Sequence, residues 1–396
     1  CIVIMYVDDM LVIGNRASLE DLKQHVMKTF TIKTEDNLSD YLGCEFEMNK
    51  DMTKGWLGQP SIVKSLEKKF GKVAMQHRLG KTPGTPGYVT MRIKDEKDKV
   101  SEEEHAIYRS GVGTLLYLTK HSRPDICNAV RELTKSMDAP APMHMKEMYR
   151  VIRYVLSTKD VGLKFKPEKD SKWNLKAFSD SDFASDKETR ISIYGYIVYF
   201  CGIPIAWKSK GMKSVVLSTT EAEYIALSEV VKELKFITQV LQTMNIEVQL
   251  PIPVNVDNVG AIWMTNNRST SERTKHCDIR ANFVKEYQED GKIMTTFVKS
   301  ADNDSDIFTK NVTNQLHEKH QPKIVWKKNE IEETKEKGEE EKLQEENDGE
   351  DELHINRKDV EEQDSLKTKS SHVKGDIALS TVNKTGCNGG TKGNPA

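Results

Sequence analysis

The stretch "MYVDDMLVIG", residues 5–14, sets two adjacent carboxylates, Asp8 and Asp9, inside an apolar run that begins with "CIVI". Alternating β-branched and aliphatic residues on both sides predict two strands that break at residues 7–9. Burying the pair there costs several kcal/mol unless something neutralises it. A divalent cation such as Mg²⁺, which prefers hard oxygen ligands, is the economical partner. One short hairpin cannot give the whole ligand set for phosphoryl chemistry, so the rest must come from other segments.

At 396 residues the chain has room for two or three domains and a sizeable core. Its formal net charge of −2 hides an asymmetry: residues 328–364 hold 17 acidic against 6 basic side chains, a net of −11, which leaves the remainder at +9. A basic body suits a polyanion such as nucleic acid. The six cysteines form no C-x-x-C pair and no zinc spacing, which predicts reduced thiols in an intracellular setting. No signal peptide and no run long enough to cross a bilayer is visible, so no membrane partner is expected. The chain begins with Cys inside a strand pattern and reads as cut from something longer.

Along the chain, residues 18–30 read as an amphipathic helix capped by Ser18, and residues 41–49 alternate as a strand. A short helix at residues 59–71 should close at Gly71. Residues 81–100, rich in Pro, Gly, Lys and Asp, predict a loop or linker before a block of three helices. The pattern changes near Pro167. "WNLKAFSDSD", "RISIYGYIVYFCG" and "IPIAWKSKG" predict three strands, followed by a long helix over residues 218–245. "IPVNVDN" and "KIMTTFVKS" predict two more strands, with helices at "VGAIWMTNN", at "HCDIRANFVKEYQEDG" and from "DSDIFTK" onward. Three strands, a helix, then strands alternating with helices predict an α/β (α+β) fold built on a mixed five-stranded sheet with flanking helices. From about residue 318 aliphatic content collapses, so an acidic, disordered tail is expected, with truncation after about residue 313 leaving the body's melting nearly unchanged.

Four carboxylates fall at element ends: Asp180 at the end of the first strand, Glu223 in the first turns of the long helix, Asp257 after the fourth strand and Asp306 at the start of the last helix. Lone aspartates at strand ends are mostly turn formers. The order strand-Asp, helix-Glu, strand-Asp, helix-Asp on one sheet edge is different, because such residues can converge to clamp two divalent ions ~4 Å apart.

The stretches "SDSDFASD", "WKSKGMKSVVLSTTEAEYIAL", "DNVGAI", "TKHCDIR" and "DSDIFTK" resemble the ribonuclease H domain of copia-type LTR retrotransposon Pol polyproteins. "YVDDMLVIG" resembles the catalytic hairpin of their reverse transcriptase, and "YLGCEFEM" the segment that grips the primer end. "YRSGVGTLLYLTKHSRPDI" and "YRVIRYVLST" look like the helical segment between the two enzymes. The resemblance implies a partial reverse transcriptase palm over residues 1–80, a helical thumb or connection over 81–167, a ribonuclease H-like domain over 168–315 and the tail over 316–396.

It also implies roles. Asp180, Glu223, Asp257 and Asp306 would hold Mg²⁺ or Mn²⁺, with Asp182 the runner-up to Asp180. Glu221 would point about 200° away from Glu223 round the helix, as a first-turn glutamate favoured by the helix dipole. His276 would carry a proton or only pack at a helix start. Lys208 and Lys210 would touch phosphates, and Gly43 lies in the primer-gripping segment. Tyr6, Asp8 and Asp9 would be a polymerase remnant, with Asp8 the main ligand and the third aspartate upstream of residue 1, so polymerisation by this chain is not expected. Phe183, Ser185, Ile193, Tyr194 and Ser305 depart from the family's usual residues but remove no carboxylate.

The expected activity is hydrolysis of RNA in RNA–DNA hybrids. The rest of the polyprotein is a partner in the intact element, and the setting is a cytoplasmic particle or the nucleus. A second reading is a degenerate copy that binds nucleic acid without cleaving it. A third makes the acidic tail the working part of an interaction protein.

Overall fold

The opening hairpin forms where the alternation places it. The computed structural model of the chain describes residues 1–7, 9–35, 41–93, 95–168, 172–213, 215–266, 278–332 and 377–384. β1 (Ile2–Tyr6) and β2 (Asp9–Asn15) pair antiparallel, with Tyr6 opposite Asp9. Asp8 lies outside the described residues. α1 (Arg16–Met27) starts two residues earlier than expected, because Asn15 rather than Ser18 is its cap: the Asn15 side chain accepts from the Ser18 N–H at 2.9 Å. β3 (Ile32–Glu35) follows. A strand at Ile377–Lys384 pairs antiparallel with both β2 and β3. The expectation of disorder through the tail is corrected here, since "IALSTVNK" forms a strand that fills the gap between β2 and β3.

These elements belong to one compact unit, residues 1–42 with 329–396, and residues 43–328 form another. The expected boundary at residue 80 is therefore misplaced. β4 (Glu45–Met48) and β5 (Gly55–Gly58), assigned above to the palm, pair within the second unit. Next come α2 (Pro60–Ala74), which runs through Gly71, then α3 (Glu102–His121), α4 (Cys127–Thr134) and α5 (Pro142–Ser157). The apolar stripes of these helices close on one another around Leu66, Phe70, Tyr108, Leu115, Ile126 and Met148. β6 (Val161–Phe165) then pairs with β5, ending the helical block in a strand that the sequence reading left out.

The second sheet has the five predicted strands: β7 (Leu175–Asp182), β8 (Ile193–Phe200), β9 (Ile203–Gly211), β10 (Ile252–Val256) and β11 (Ile293–Phe297). Their order across the sheet is β11-β10-β7-β8-β9. β7, β8 and β9 are antiparallel neighbours, whereas β10 runs parallel to both β7 and β11. α6 (Thr219–Thr243) crosses from β9 to β10 and buries Tyr224, Leu227, Val231 and Leu234 against Ala177, Tyr196 and Val198. α7 (Val259–Asn266) and α8 (Asp278–Glu289) join β10 to β11.

The last expected helix is only a single turn, α9 (Asp306–Thr309), and α10 (Asn314–Ile324) and β12 (Val325–Lys327) follow it. The tail boundary at residue 316 is wrong for a physical reason. Ile324 and Val325 are fully buried, β12 pairs with β6, and Trp326 Nε1 donates to the Gly55 carbonyl at 3.0 Å. Deleting residues 314–328 should therefore lower the melting temperature sharply, against the earlier expectation. Trp326→Ala alone should cost about 3–5 kcal/mol, roughly 10 °C. Thermal melts of the full chain and the two variants check this, and unchanged melting would mean that β12 adds nothing to the sheet.

Candidate metal centre

Asp180 lies opposite Gly195 in the β7–β8 ladder. A Cβ at Gly195 would stand 2.7 Å from Phe308 Cβ and 2.9 Å from Thr309 Cγ2. The missing side chain lets α9 settle against the strand pair, where Thr309 Oγ1 donates to Asp180 Oδ2. Glu223 comes from the second turn of α6, whose start is set by Ser218 accepting from the Glu221 N–H. Its Oε1 accepts from the Ser181 N–H at 3.0 Å and the Ser181 hydroxyl at 2.8 Å. Asp257 follows β10, directly before Asn258, whose Oδ1 accepts from the Ala261 N–H at 2.9 Å and caps α7. Gly260 packs against Thr220, holding the first turns of α6 and α7 together.

The result is a group of three carboxylates, Asp180, Glu223 and Asp257, whose oxygens lie within 4.8 Å of one another. Asp180 is 2% exposed and Glu223 6%. Burial first, and then the Glu223 charge, push the Asp180 carboxyl well above the ordinary range. Burial and the neighbouring Asp257 push Glu223 up to about 8. Glu223 Oε2 is buried and has no hydrogen-bond partner. Three converging hard oxygens, one of them without a donor, fit a divalent cation.

Asp306 opens α9 close by and is 3% exposed. It does not join the group of three, because Lys310 Nζ stands 2.8 Å from its Oδ1 and 3.9 Å from Asp180 Oδ2. Lys310 is the residue the sequence reading missed. Its signal was present as the i, i+4 spacing from Asp306 in "DIFTK". Glu221 is turned away from the cluster, and its Oε2 accepts from the Leu217 N–H at 2.8 Å. Asp182 is half-buried and not one of the three; burial raises its carboxyl, and the Lys310 and Arg131 charges act against that rise.

Lys208 and Lys210 are exposed on the edge strand β9 and line a groove of about 570 Å³ with Lys120, Arg131 and Trp207. That groove exists because α4 docks on β9, where Arg131 Nε donates to Ser209 Oγ at 2.9 Å; just past α4, Lys135 pairs with Asp186 of the loop between β7 and β8 at 3.2 Å. The remaining expected residues do not gather here. Tyr6 and Asp9 belong to the hairpin of the other unit, and His276 lies outside the described residues. Gly43 takes a φ of +69° in a turn, a conformation that by itself explains the glycine.

No family model matches the chain. It is 31% identical over 315 residues to the retrovirus-related Pol polyprotein from transposon TNT 1-94 of Nicotiana tabacum, covering 78% of this chain and 23% of that protein. It is 30% identical over 325 residues to the corresponding polyprotein from transposon RE1 of Arabidopsis thaliana, covering 81% and 21%. The chain belongs to the copia-type retrotransposon Pol polyproteins. It spans less than a quarter of the length of these Pol relatives. A solved ribonuclease H1 isolated from compost overlaps 38% of this chain and 92% of its own at 12% identity, with a TM-score of 0.25. The mixed five-stranded sheet with flanking helices has the expected architecture, with β10 parallel to both β7 and β11. Among the described residues of this Pol chain, no helix is long and apolar enough to cross a membrane.

The raised carboxyls carry a pH dependence. Folding lifts Glu223 from an ordinary 4.5 to about 8, so its contribution to stability is complete below 4.5 and is lost as the pH rises through 8. Glu223→Gln keeps an acceptor for Ser181 and removes the charge. Without metal, its melting temperature should gain on wild type between pH 5 and pH 9, and added Mg²⁺ should reverse the ranking at pH 9. Parallel melting curves in chelator and in Mg²⁺ measure this; a pH-independent difference would contradict the raised carboxyl.

Proposed function

We propose that the second unit is a ribonuclease H-type nuclease that cuts the RNA strand of an RNA–DNA hybrid. The observation that carries this reading is the three-carboxylate group at the ends of β7 and β10 in a ribonuclease H-like sheet. Asp180, Glu223 and Asp257 would hold Mg²⁺ or Mn²⁺, with Asp306 joining from the Lys310 side. Bound divalent cations supply a lowered pKa for the attacking water and charge neutralisation at the leaving oxygen. Ser181 keeps Glu223 in one rotamer, and Thr309 does the same for Asp180, so the ligand oxygens are aimed before any cation arrives.

Substrate contact is assigned to the β9 groove. Lys208 and Lys210 flank Ser209, the β9 residue in register with Gly195 and Asp180, so they project from the other face of this edge strand. There, with Lys120 and Arg131, they line the groove as a track for phosphates. Preference for a hybrid would come from 2′-hydroxyl and minor-groove contacts rather than base reading. In the intact element this unit would work within the longer Pol polyprotein. A copy that binds hybrid without cutting it is the second reading, and the departures at Phe183, Ser185 and Ser305 favour it.

A labelled hybrid incubated with the full chain and Mg²⁺ separates the two. Cleavage should appear, should fall by several orders of magnitude in Asp180→Asn and should stay near wild type in Glu221→Gln. Binding without cleavage by a folded, metal-binding wild type would leave the non-catalytic reading. For the first unit, whose Asp8 lies outside the described residues, we likewise propose that it does not polymerise by itself, since phosphoryl transfer depends on positioned metal charge. Primer extension on a primed RNA template with Mg²⁺ or Mn²⁺ should therefore be absent; template-dependent extension would refute this.

A further inference from the structure

The four acidic residues at this site fall into two unequal halves. Asp180, Glu223 and Asp257 face one another with a cation only at their edge, whereas Asp306 has one in close contact. Lys310 lies across the mouth of the second half: its Nζ is 2.8 Å from Asp306 Oδ1 and 3.9 Å from Asp180 Oδ2, and its side chain is 43% exposed. The backbone beneath it is pinned. Asn311 Nδ2 donates to the Tyr88 carbonyl at 3.0 Å, Asn311 Oδ1 accepts from Asn128 Nδ2 at 3.1 Å, and the Gly87 N–H donates to the Asn311 carbonyl at 3.0 Å. Movement is thereby confined to the four-carbon stem of the lysine, which leads to solvent.

From this arrangement we infer that Lys310 is the resident counter-cation of the Asp306 half-site, and that a second divalent ion binds there only by expelling it. The inference rests on reading the three-carboxylate group as a metal centre. An ammonium and a divalent ion on the same buried carboxylate repel at short range, where little water screens them. The first cation enters the trio with that ammonium only at its edge, 3.9 Å from Asp180 Oδ2, and meets less of the competition. The second must displace an ion pair whose carboxylate is 4% exposed, and it binds correspondingly weakly. Lys310 thus sets the interval between the two metal affinities and holds the Asp306 charge in check while the site is half-filled.

Mn²⁺ titration of the full chain, with free ion read by electron paramagnetic resonance, tests this without any turnover. Wild type should bind one Mn²⁺ tightly and a second at least tenfold more weakly. Lys310→Met and Lys310→Gln, the latter keeping a donor for Asp306, should tighten the second site by about tenfold or more and leave the first unchanged. Lys310→Arg should titrate as wild type. In chelator both neutral variants should melt below wild type and recover with Mn²⁺. If Asp180→Asn abolishes tight binding but the neutral Lys310 variants bind the second ion as weakly as wild type, the metal centre stands and the role of Lys310 is refuted. If Asp180→Asn binds Mn²⁺ as wild type does, the metal centre itself is refuted, and this inference with it.

Discussion

Three carboxylates within 4.8 Å, two of them almost fully buried, repel one another unless protons or a cation stand between them. Much of the second unit's architecture holds that group together. Each acid arrives on a different element, so repulsion at the centre has to be resisted by packing elsewhere. The resistance is visible in the apolar wedge of α6 against β7 and β8, in the glycine contact between α7 and α6, and in the settling of α9 onto Gly195. That packing holds the acids in an environment where burial and mutual charge raise Asp180 and Glu223.

The sheet was legible because its strands are short runs rich in β-branched and aromatic residues, as "YIVYF" is. The positions of Asp180, Glu223 and Asp257 followed from where those strands and the long helix begin and end. What escaped the reading depends on partners far away in sequence. "VGLKF" and "VWK" are too short to signal a strand alone and become strands only by pairing with each other and with β5. Lys310 escaped for a similar reason. Its place beside Asp306 is local, but its approach to Asp180 exists only because Gly195 admits α9. Asn15 displaced Ser18 as a cap through a competition between two good capping residues three positions apart, which propensity does not decide.

The helical block is more than a spacer. Trp207 Nε1 on β9 donates to the Thr119 carbonyl at 2.7 Å, and Arg131 and Lys135 reach the sheet and the 182–192 loop from α4. Inside the block, Arg123 and Asp125 form a fully buried pair that also ties Tyr154 and Thr158. Removing one partner of such a pair leaves an uncompensated buried charge and is strongly destabilising. The basic groove beside β9 is therefore a property of two segments that fold as one unit, and neither would present it alone.

The hydrogen bond from Trp326 to Gly55 joins residues 271 positions apart, and this has a bearing on how the chain is made. Synthesis runs from the N-terminus at ~5–20 residues per second, and long-range pairing is slow to nucleate. β4, β5 and β6 leave the ribosome early, yet their sheet lacks its outer strand until residues 325–327 emerge. During that interval β6 presents an unpaired edge, while the five-stranded sheet, whose strands lie between residues 175 and 297, can already assemble. A nascent chain stalled shortly before β12 would carry a finished carboxylate cluster beside an open sheet edge, the kind of exposed backbone that chaperones shield.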